Sequence, residues 1–164
     1  MPLYSQSCAY AILALTRIAD SPESPLSAKE IADYYDVSNA SISQALFQLK
    51  RGKIVTGKRG KGGGFVLAVP ASSLSLMDII KAMGCEHDLP CCLFGLNDQI
   101  ALAHCTTISF WKEERKRIVT MLSNTRLEDL RKKQNSESTE INPKAPLARC
   151  DGPHFQPSGG CHSS

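Results

Sequence analysis

Nowhere do these 164 residues contain an apolar run long enough for a bilayer. The first such run, Ala9–Leu15, falls far short of the ~20 residues that a membrane span needs. It is also too short, and wrongly flanked, for a secretory signal, so the expectation is a cytoplasmic protein without a membrane anchor. There is no Cys-x-x-Cys pair, no Ser/His/Asp grouping and no dinucleotide-binding glycine fingerprint, which argues against an oxidoreductase or hydrolase. The glycine-rich stretch near residue 60 is not followed by Gly-Lys-Ser/Thr opening a helix, which excludes a Walker-type phosphate loop. The cysteine count, seven, is odd and so closes no disulfide framework. In a reducing compartment such cysteines point to metal ligation or redox chemistry instead. The last absence is local. Between Lys50 and Lys61 there is no acidic residue, while Lys50, Arg51, Lys53, Lys58, Arg59 and Lys61 are all basic.

That stripe matters more than the net charge of +3. A run of cations is an electrostatic footprint for a polyanion, or else a solvated loop. Its neighbours decide between the two. Tyr4–Asp20 reads as an amphipathic helix, with Tyr4, Cys8, Ala11, Leu15 and Ile18 on one face, and the prolines at 22 and 25 end it. Ser27-Ala-Lys-Glu30 is a capping box that opens a short helix through Tyr35, burying Ile31 and either Tyr34 or Tyr35. Asp36-Val37-Ser38 is a tight turn. Ser38 then caps a helix from Asn39 to about Arg51, with Ile42, Leu46 and Leu49 inward. Two short helices on such a turn form a helix-turn-helix. The second exposes Ser38, Asn39, Ser41, Ser43, Gln44 and Gln48, side chains suited to phosphates and base edges. Ile54-Val55-Thr56 and Phe65-Val66-Leu67 are β-prone and flank a loop with glycines at 57, 60, 62, 63 and 64. That pattern predicts a hairpin with a basic tip, a wing. Gly62 and Gly63 allow close approach to a phosphate backbone, and Lys58, Arg59 and Lys61 supply charge. A winged module that docks on protein is the competing use, and the uninterrupted positive charge argues against it.

Beyond the wing, a helix within Ala71–Met83 is capped near Ser75, and residues 84–104 form a cysteine-rich loop. Thr106 or Thr107 caps a long helix through about Ser123, in which Ile108, Trp111, Ile118 and Leu122 repeat at near-heptad spacing, interrupted by Arg115. Such a seam wants a partner helix, hence a homodimer, or else packing within the chain. Leu127–Leu130 reads as a last short helix, and from about Lys132 the composition turns polar. The expectation is a mainly α fold with a small β-hairpin. It divides into a winged helix-turn-helix DNA-binding domain (1–83), a cysteine-rich sensor loop (84–105), a dimerisation helix region (106–132) and a disordered tail (133–164).

The wing Val55-Thr-Gly-Lys-Arg-Gly-Lys-Gly-Gly-Gly-Phe-Val-Leu67, followed by Ala71-Ser-Ser-Leu74, resembles the BadM/Rrf2 family of regulators. Cys92-Leu-Phe-Gly95, Cys105, Trp111 and Asn124-Thr-Arg-Leu-Glu-Asp-Leu130 extend the resemblance over roughly residues 1–134. It implies a dimeric winged-helix repressor or activator on a double-stranded DNA operator, with the long helix as the dimer spine. In many members three cysteines before that helix hold an iron–sulfur cluster. The fourth ligand is a histidine three residues after the last cysteine, or a polar residue from the partner's first helix. Here Cys92 and Cys105 match the first and last ligand positions, Gln99 stands at the middle one and Ile108 at the histidine. Cys8 stands at the cross-subunit position, and Cys91 or Cys85 could replace the middle cysteine. Thiolate is the preferred ligand of such iron, and the spacing does not separate a 2Fe–2S from a 4Fe–4S cluster.

Other readings of these cysteines stay open. Cys8 on an apolar helix face packs well as a small hydrophobe. Cys92 and Cys105 could form a metal-free thiol switch, assisted by His87, His104 or Lys112, and a thiol oxidoreductase would use Cys91, Cys92 or Cys105. In the tail, Cys150, His154, Cys161 and His162 offer zinc donors, but in no recognised finger spacing.

Overall fold

The computed structural model describes residues 4–60, 62–85 and 108–136. Along the chain come α1 (Gln6–Asp20), α2 (Ala28–Tyr35), α3 (Asn39–Arg51), β1 (Val55–Lys58), β2 (Gly64–Leu67), α4 (Leu76–Ala82), α5 (Ile108–Asn124) and α6 (Leu127–Ser136). Among the described residues, no helix is long and apolar enough to cross a membrane.

One core organises these elements. Ala11, Ala14, Leu15 and Ile18 of α1 pack with Ile31 and Ala32 of α2 and with Ile42, Ala45, Leu46 and Leu49 of α3, all buried. These are the inward faces that the 3.6-residue period predicts for Leu15, Ile18, Ile31, Ile42, Leu46 and Leu49. The turn between α2 and α3 relies on Asp36 in the left-handed region (φ 53°), whose N–H donates to the Ala32 carbonyl and ends α2. A short polar side chain tolerates that conformation better than most. At the end of α2, Tyr34 is 47% exposed and lies under the Arg17 guanidinium, 4.4 Å from the ring centre. Tyr35 is half-buried, and burial pushes its hydroxyl up to about 12. Neither tyrosine is closed in the core. Ile31 and Ala32 already fill that space.

The hairpin is antiparallel, pairing Val55 with Leu67, Thr56 with Val66, Gly57 with Phe65 and Lys58 with Gly64. Three further backbone bonds hold it in place. Ala68 N–H donates to the Ile54 carbonyl at 2.8 Å. Phe65 N–H donates to the Leu26 carbonyl (2.8 Å), and Leu26 N–H donates back to the Phe65 carbonyl (3.1 Å). Leu26, just before α2, thus adds a rung to the outer edge of β2. Gly64 permits this approach, because a Cβ there would stand 2.6 Å from the Leu26 backbone.

Two capping boxes set helix starts. Ser27 Oγ accepts from Glu30 N–H, and the Glu30 carboxylate accepts from Ser27 N–H at 2.8 Å. Ser75 and Asp78 repeat this for α4, with the Asp78 carboxylate taking bonds from Ser75 N–H (3.1 Å) and Oγ (2.6 Å). The Asp78 carboxyl is held below its ordinary value, first by the Ser75 hydroxyl. Ser38 occupies the same position before α3 but makes no side-chain cap bond. The third helical residue there is Ser41, not an acid, so the reciprocal box cannot form.

Leu74–Leu76 runs antiparallel to the α5–α6 connection. Leu76 N–H donates to the Thr125 carbonyl (3.0 Å) and Leu127 N–H to the Leu74 carbonyl (2.9 Å). This brings Leu122 and Leu127 into the core that α1 organises. Arg131 Nε closes the arrangement with a 2.9 Å ion pair to Asp20. α6 runs to Ser136, well past the Leu130 at which sequence reading ends it. On α5, Trp111 and Leu122 are buried and Ile118 half-buried within the chain itself, so these seam residues pack internally, the alternative to a partner helix. Arg115 lies in the same seam with its Nε buried and unbonded among the described residues.

Ser75→Ala is expected to lower folding stability by about 1 kcal/mol. Asp78→Asn tests the charge. A carboxyl with a depressed folded-state value stabilises above its ordinary value of 3.8 and loses that contribution as pH falls through the folded value. The urea midpoints of Asp78→Asn and the parent protein should therefore differ at neutral pH and converge in acid. A gap that stays constant with pH is the contrary result.

Candidate nucleic-acid interface

α3 is amphipathic in a way that fixes its outer face. Its buried residues lie against α1 and α2, leaving Asn39, Ala40, Ser43, Gln44, Phe47, Lys50 and Arg51 exposed on the opposite side. Of the residues that the sequence proposes for base and phosphate contact, Ser38, Asn39, Ser43 and Gln44 are exposed, while Ser41 and Gln48 are only half-exposed. The Asn39 side-chain oxygen accepts from Ser43 Oγ at 3.3 Å, and Gln48 lies at the 3.5 Å limit from Arg51. These are exchangeable bonds, easily traded for bonds to a ligand. With no cap bond at Ser38, its hydroxyl and the first N–H groups of α3 are not tied to one another.

The wing follows α3 directly. Ile54 N–H donates to the Leu49 carbonyl (2.9 Å), and Lys53 adopts a left-handed conformation (φ 58°) to turn the chain. Lys58 and Arg59 are exposed at the outer end of the hairpin. The tip turns through Gly60 to Gly63, closed by a 2.9 Å bond from Gly63 N–H to the Gly60 carbonyl. Gly62 has φ 79°, a conformation that side chains rarely adopt, and nothing lies within 4 Å of where its Cβ would be. At Gly63 a Cβ would collide with the Lys58 and Gly60 carbonyl oxygens. One glycine thus serves an open tip and the other a tight turn. Lys61 lies outside the described residues.

From Lys50 to Lys61 the charged residues are all of one sign. Lys50, Arg51, Lys53, Lys58 and Arg59 are all exposed. The ion pairs found among the described residues are Arg117–Glu114 and Arg131–Asp20, neither of them on this surface. Polar side chains on a helix, flanked by unpaired cations on a ribbon, are what phosphate contact and groove reading require.

The Rrf2 family model, described as an iron-dependent transcriptional regulator, matches residues 4–133. The chain belongs to the Rrf2 family. It is similar to the HTH-type transcriptional regulator IscR of Vibrio campbellii, 29% identical over 133 residues, which are 80% of this chain and 77% of that protein. Among solved structures, IscR of T. potens aligns with a TM-score of 0.63 at 24% identity, covering 81% of this chain and 89% of that one. CymR, the global cysteine regulator of B. subtilis, aligns with a TM-score of 0.60 at 24% identity, covering 79% and 95%. The fold is therefore the winged helix of Rrf2 regulators, as the wing and helix-turn-helix predict. As an Rrf2 member the protein is a transcriptional regulator, and the oxidoreductase alternative is set aside on that membership.

The candidate metal ligands divide. Cys91, Cys92 and Cys105 lie outside the described residues, as do Cys150, His154, Cys161 and His162 of the tail. Cys8, on α1, is 2% exposed and packs in the core. Cys85, just after α4, is 7% exposed, and its sulfur lies 3.1 Å from Ser5 Oγ at the start of α1. Two features escaped sequence reading. The Leu26 rung joins segments distant in sequence and leaves no local signal. Phe47 was readable, since it falls three and four residues after Gln44 and Ser43 on the outer face of α3.

Arg59→Ala with Lys61→Ala is expected to weaken binding to every DNA duplex and to flatten the dependence of affinity on salt, by about 0.9 in log–log slope per lost phosphate contact. Fluorescence anisotropy across a salt series measures both. An unchanged slope removes the wing from the interface.

Proposed function

We propose that this Rrf2 regulator works in the cytoplasm as a homodimer on a double-stranded DNA operator. α3 would enter the major groove, with Ser38, Asn39, Ser41, Ser43, Gln44 and Gln48 as the reading set. The wing would lie on the phosphate backbone, with Lys58, Arg59, Lys61, Gly62 and Gly63 in contact. The observation that carries this reading is the exposed cationic stretch running from the end of α3 into the wing, with no acidic residue between Lys50 and Lys61. A protein-docking wing has no need of it. Dimerisation is supported by α5, which leaves Phe110 and Met121 exposed, eleven residues apart and so on one face of the helix. A second copy of the helix would cover such a surface, and a two-fold dimer would pair two half-sites. This division of labour keeps 1–83 as the DNA-binding unit, 84–105 as the sensor, 106–132 as the dimer spine and 133–164 as a tail.

For sensing, we propose an iron–sulfur cluster held by Cys92 and Cys105. A bound cluster would supply a redox-sensitive link between the segment before α5 and its neighbours. The remaining donors are weighed by their surroundings. Cys85 is closed in its own chain and engaged by Ser5, which favours Cys91 as a third thiolate. Cys8, as placed, is enclosed in the core. It would have to leave that packing to serve a partner subunit, so it fits the cross-subunit role poorly. That enclosure favours the second reading, a metal-free switch between Cys92 and Cys105 that leaves Cys8 as a packing residue.

Anaerobic purification, followed by reconstitution with iron and sulfide, separates the two. The cluster reading expects visible absorption and bound iron, with both lost in Cys92→Ala and in Cys105→Ala. A colourless protein whose Cys92 and Cys105 instead pair on mild oxidation, seen by mass spectrometry after alkylation, assigns the thiol switch.

A further inference from the structure

Phe47 is 60% exposed on α3, although the helix needs no further apolar residue to hold its place. Ile42, Ala45, Leu46 and Leu49 already fill the inner face. On the outer face, Phe47 follows Ser43 and Gln44 by four and three residues and precedes Lys50 and Arg51 by three and four. These residues share one stripe of the helix. The ring therefore stands between hydrogen-bonding side chains on one side and two cations on the other. That setting selects among the occupants an exposed aromatic could meet. An apolar protein surface would have to bury Lys50 and Arg51 without partners, at high cost. A DNA major groove satisfies all three kinds of group, offering base edges to Ser43 and Gln44 and phosphates to Lys50 and Arg51. It also offers one strongly apolar feature, the thymine methyl, to Phe47.

We infer that Phe47 is a specificity-determining residue that reads a thymine methyl in each operator half-site. Phe47 lies about 4.5 Å beyond Gln44 along the helix axis, so its thymine should lie one or two base pairs from the base that Gln44 contacts. The inference rests on the DNA-binding reading above and adds a base identity to it.

The test uses the full chain. Duplexes bound by the parent protein are selected from a random library and sequenced, and the same is done with Phe47→Ala. In the preferred duplex, each thymine is then replaced by deoxyuridine, which removes only the methyl. The expected result is one position per half-site at which the parent loses about four-fold in affinity, the worth of one buried methyl. Phe47→Ala should show no loss there and no thymine preference in selection, whereas Phe47→Leu should retain part of both. Exposure of the ring means that the alanine variant should melt like the parent. Methyl sensitivity that is absent in the parent, or equal in parent and Phe47→Ala, overturns the inference while DNA binding stands. A library yielding no enriched sequence and no salt-dependent binding would sink the DNA-binding reading and the inference with it.

Discussion

The burial of one face of α3 is the constraint on which the rest of the interface depends. Four apolar residues, Ile42, Ala45, Leu46 and Leu49, lock the helix against α1 and α2. Each fully buried aliphatic side chain contributes roughly 1.5–3 kcal/mol relative to leaving it exposed, so rotation of the helix about its axis is strongly opposed. Once that rotation is fixed, the outward direction of Asn39, Ser43, Gln44, Phe47 and Arg51 follows. A base-reading surface needs this rigidity, because hydrogen bonds to base edges tolerate little misplacement.

The wing is rigid for a different reason. Two four-residue strands form a marginal unit by themselves. Here the ladder continues on one side through Leu26 and is tied at its base by the Ile54–Ala68 bond. The extra rung fastens the hairpin to the segment that leads into α2, and so to the helix-turn-helix. Charge at the wing tip is thereby held in a set relation to α3. The absence of a side chain at Gly64 is what allows that fastening.

The described chain leaves α4 at Cys85 and resumes at α5. The elements before and after this stretch both touch the rest of the fold. Cys85 meets Ser5 at the start of α1, and the α5–α6 connection pairs with Leu74–Leu76. Cys85 thus meets the start of α1, and α1 packs directly on α3. This is a structural connection, and a signal would use it only by biasing two arrangements of the packed helices.

Much was legible without coordinates, because it is encoded locally. The inward faces of α1, α2 and α3 follow from spacing. The Ser27 box follows from its acid three residues on, and the hairpin from two β-prone runs around glycines. The same local rule would have found the Ser75–Asp78 box. It also explains why no reciprocal box forms at Ser38, since Ser41 has no carboxylate to return a bond. What the sequence withheld was nonlocal. Nothing near Leu26 announces that it will pair with Phe65, and nothing in α6 that Leu127 will enter the core of α1. Nor does spacing tell whether Cys8 faces a partner or its own core, since both lie on the apolar side of one helix. Periodicity determines which face of an element is apolar. Only the packed structure decides what that face meets, because the answer depends on residues brought together by chain closure rather than by adjacency.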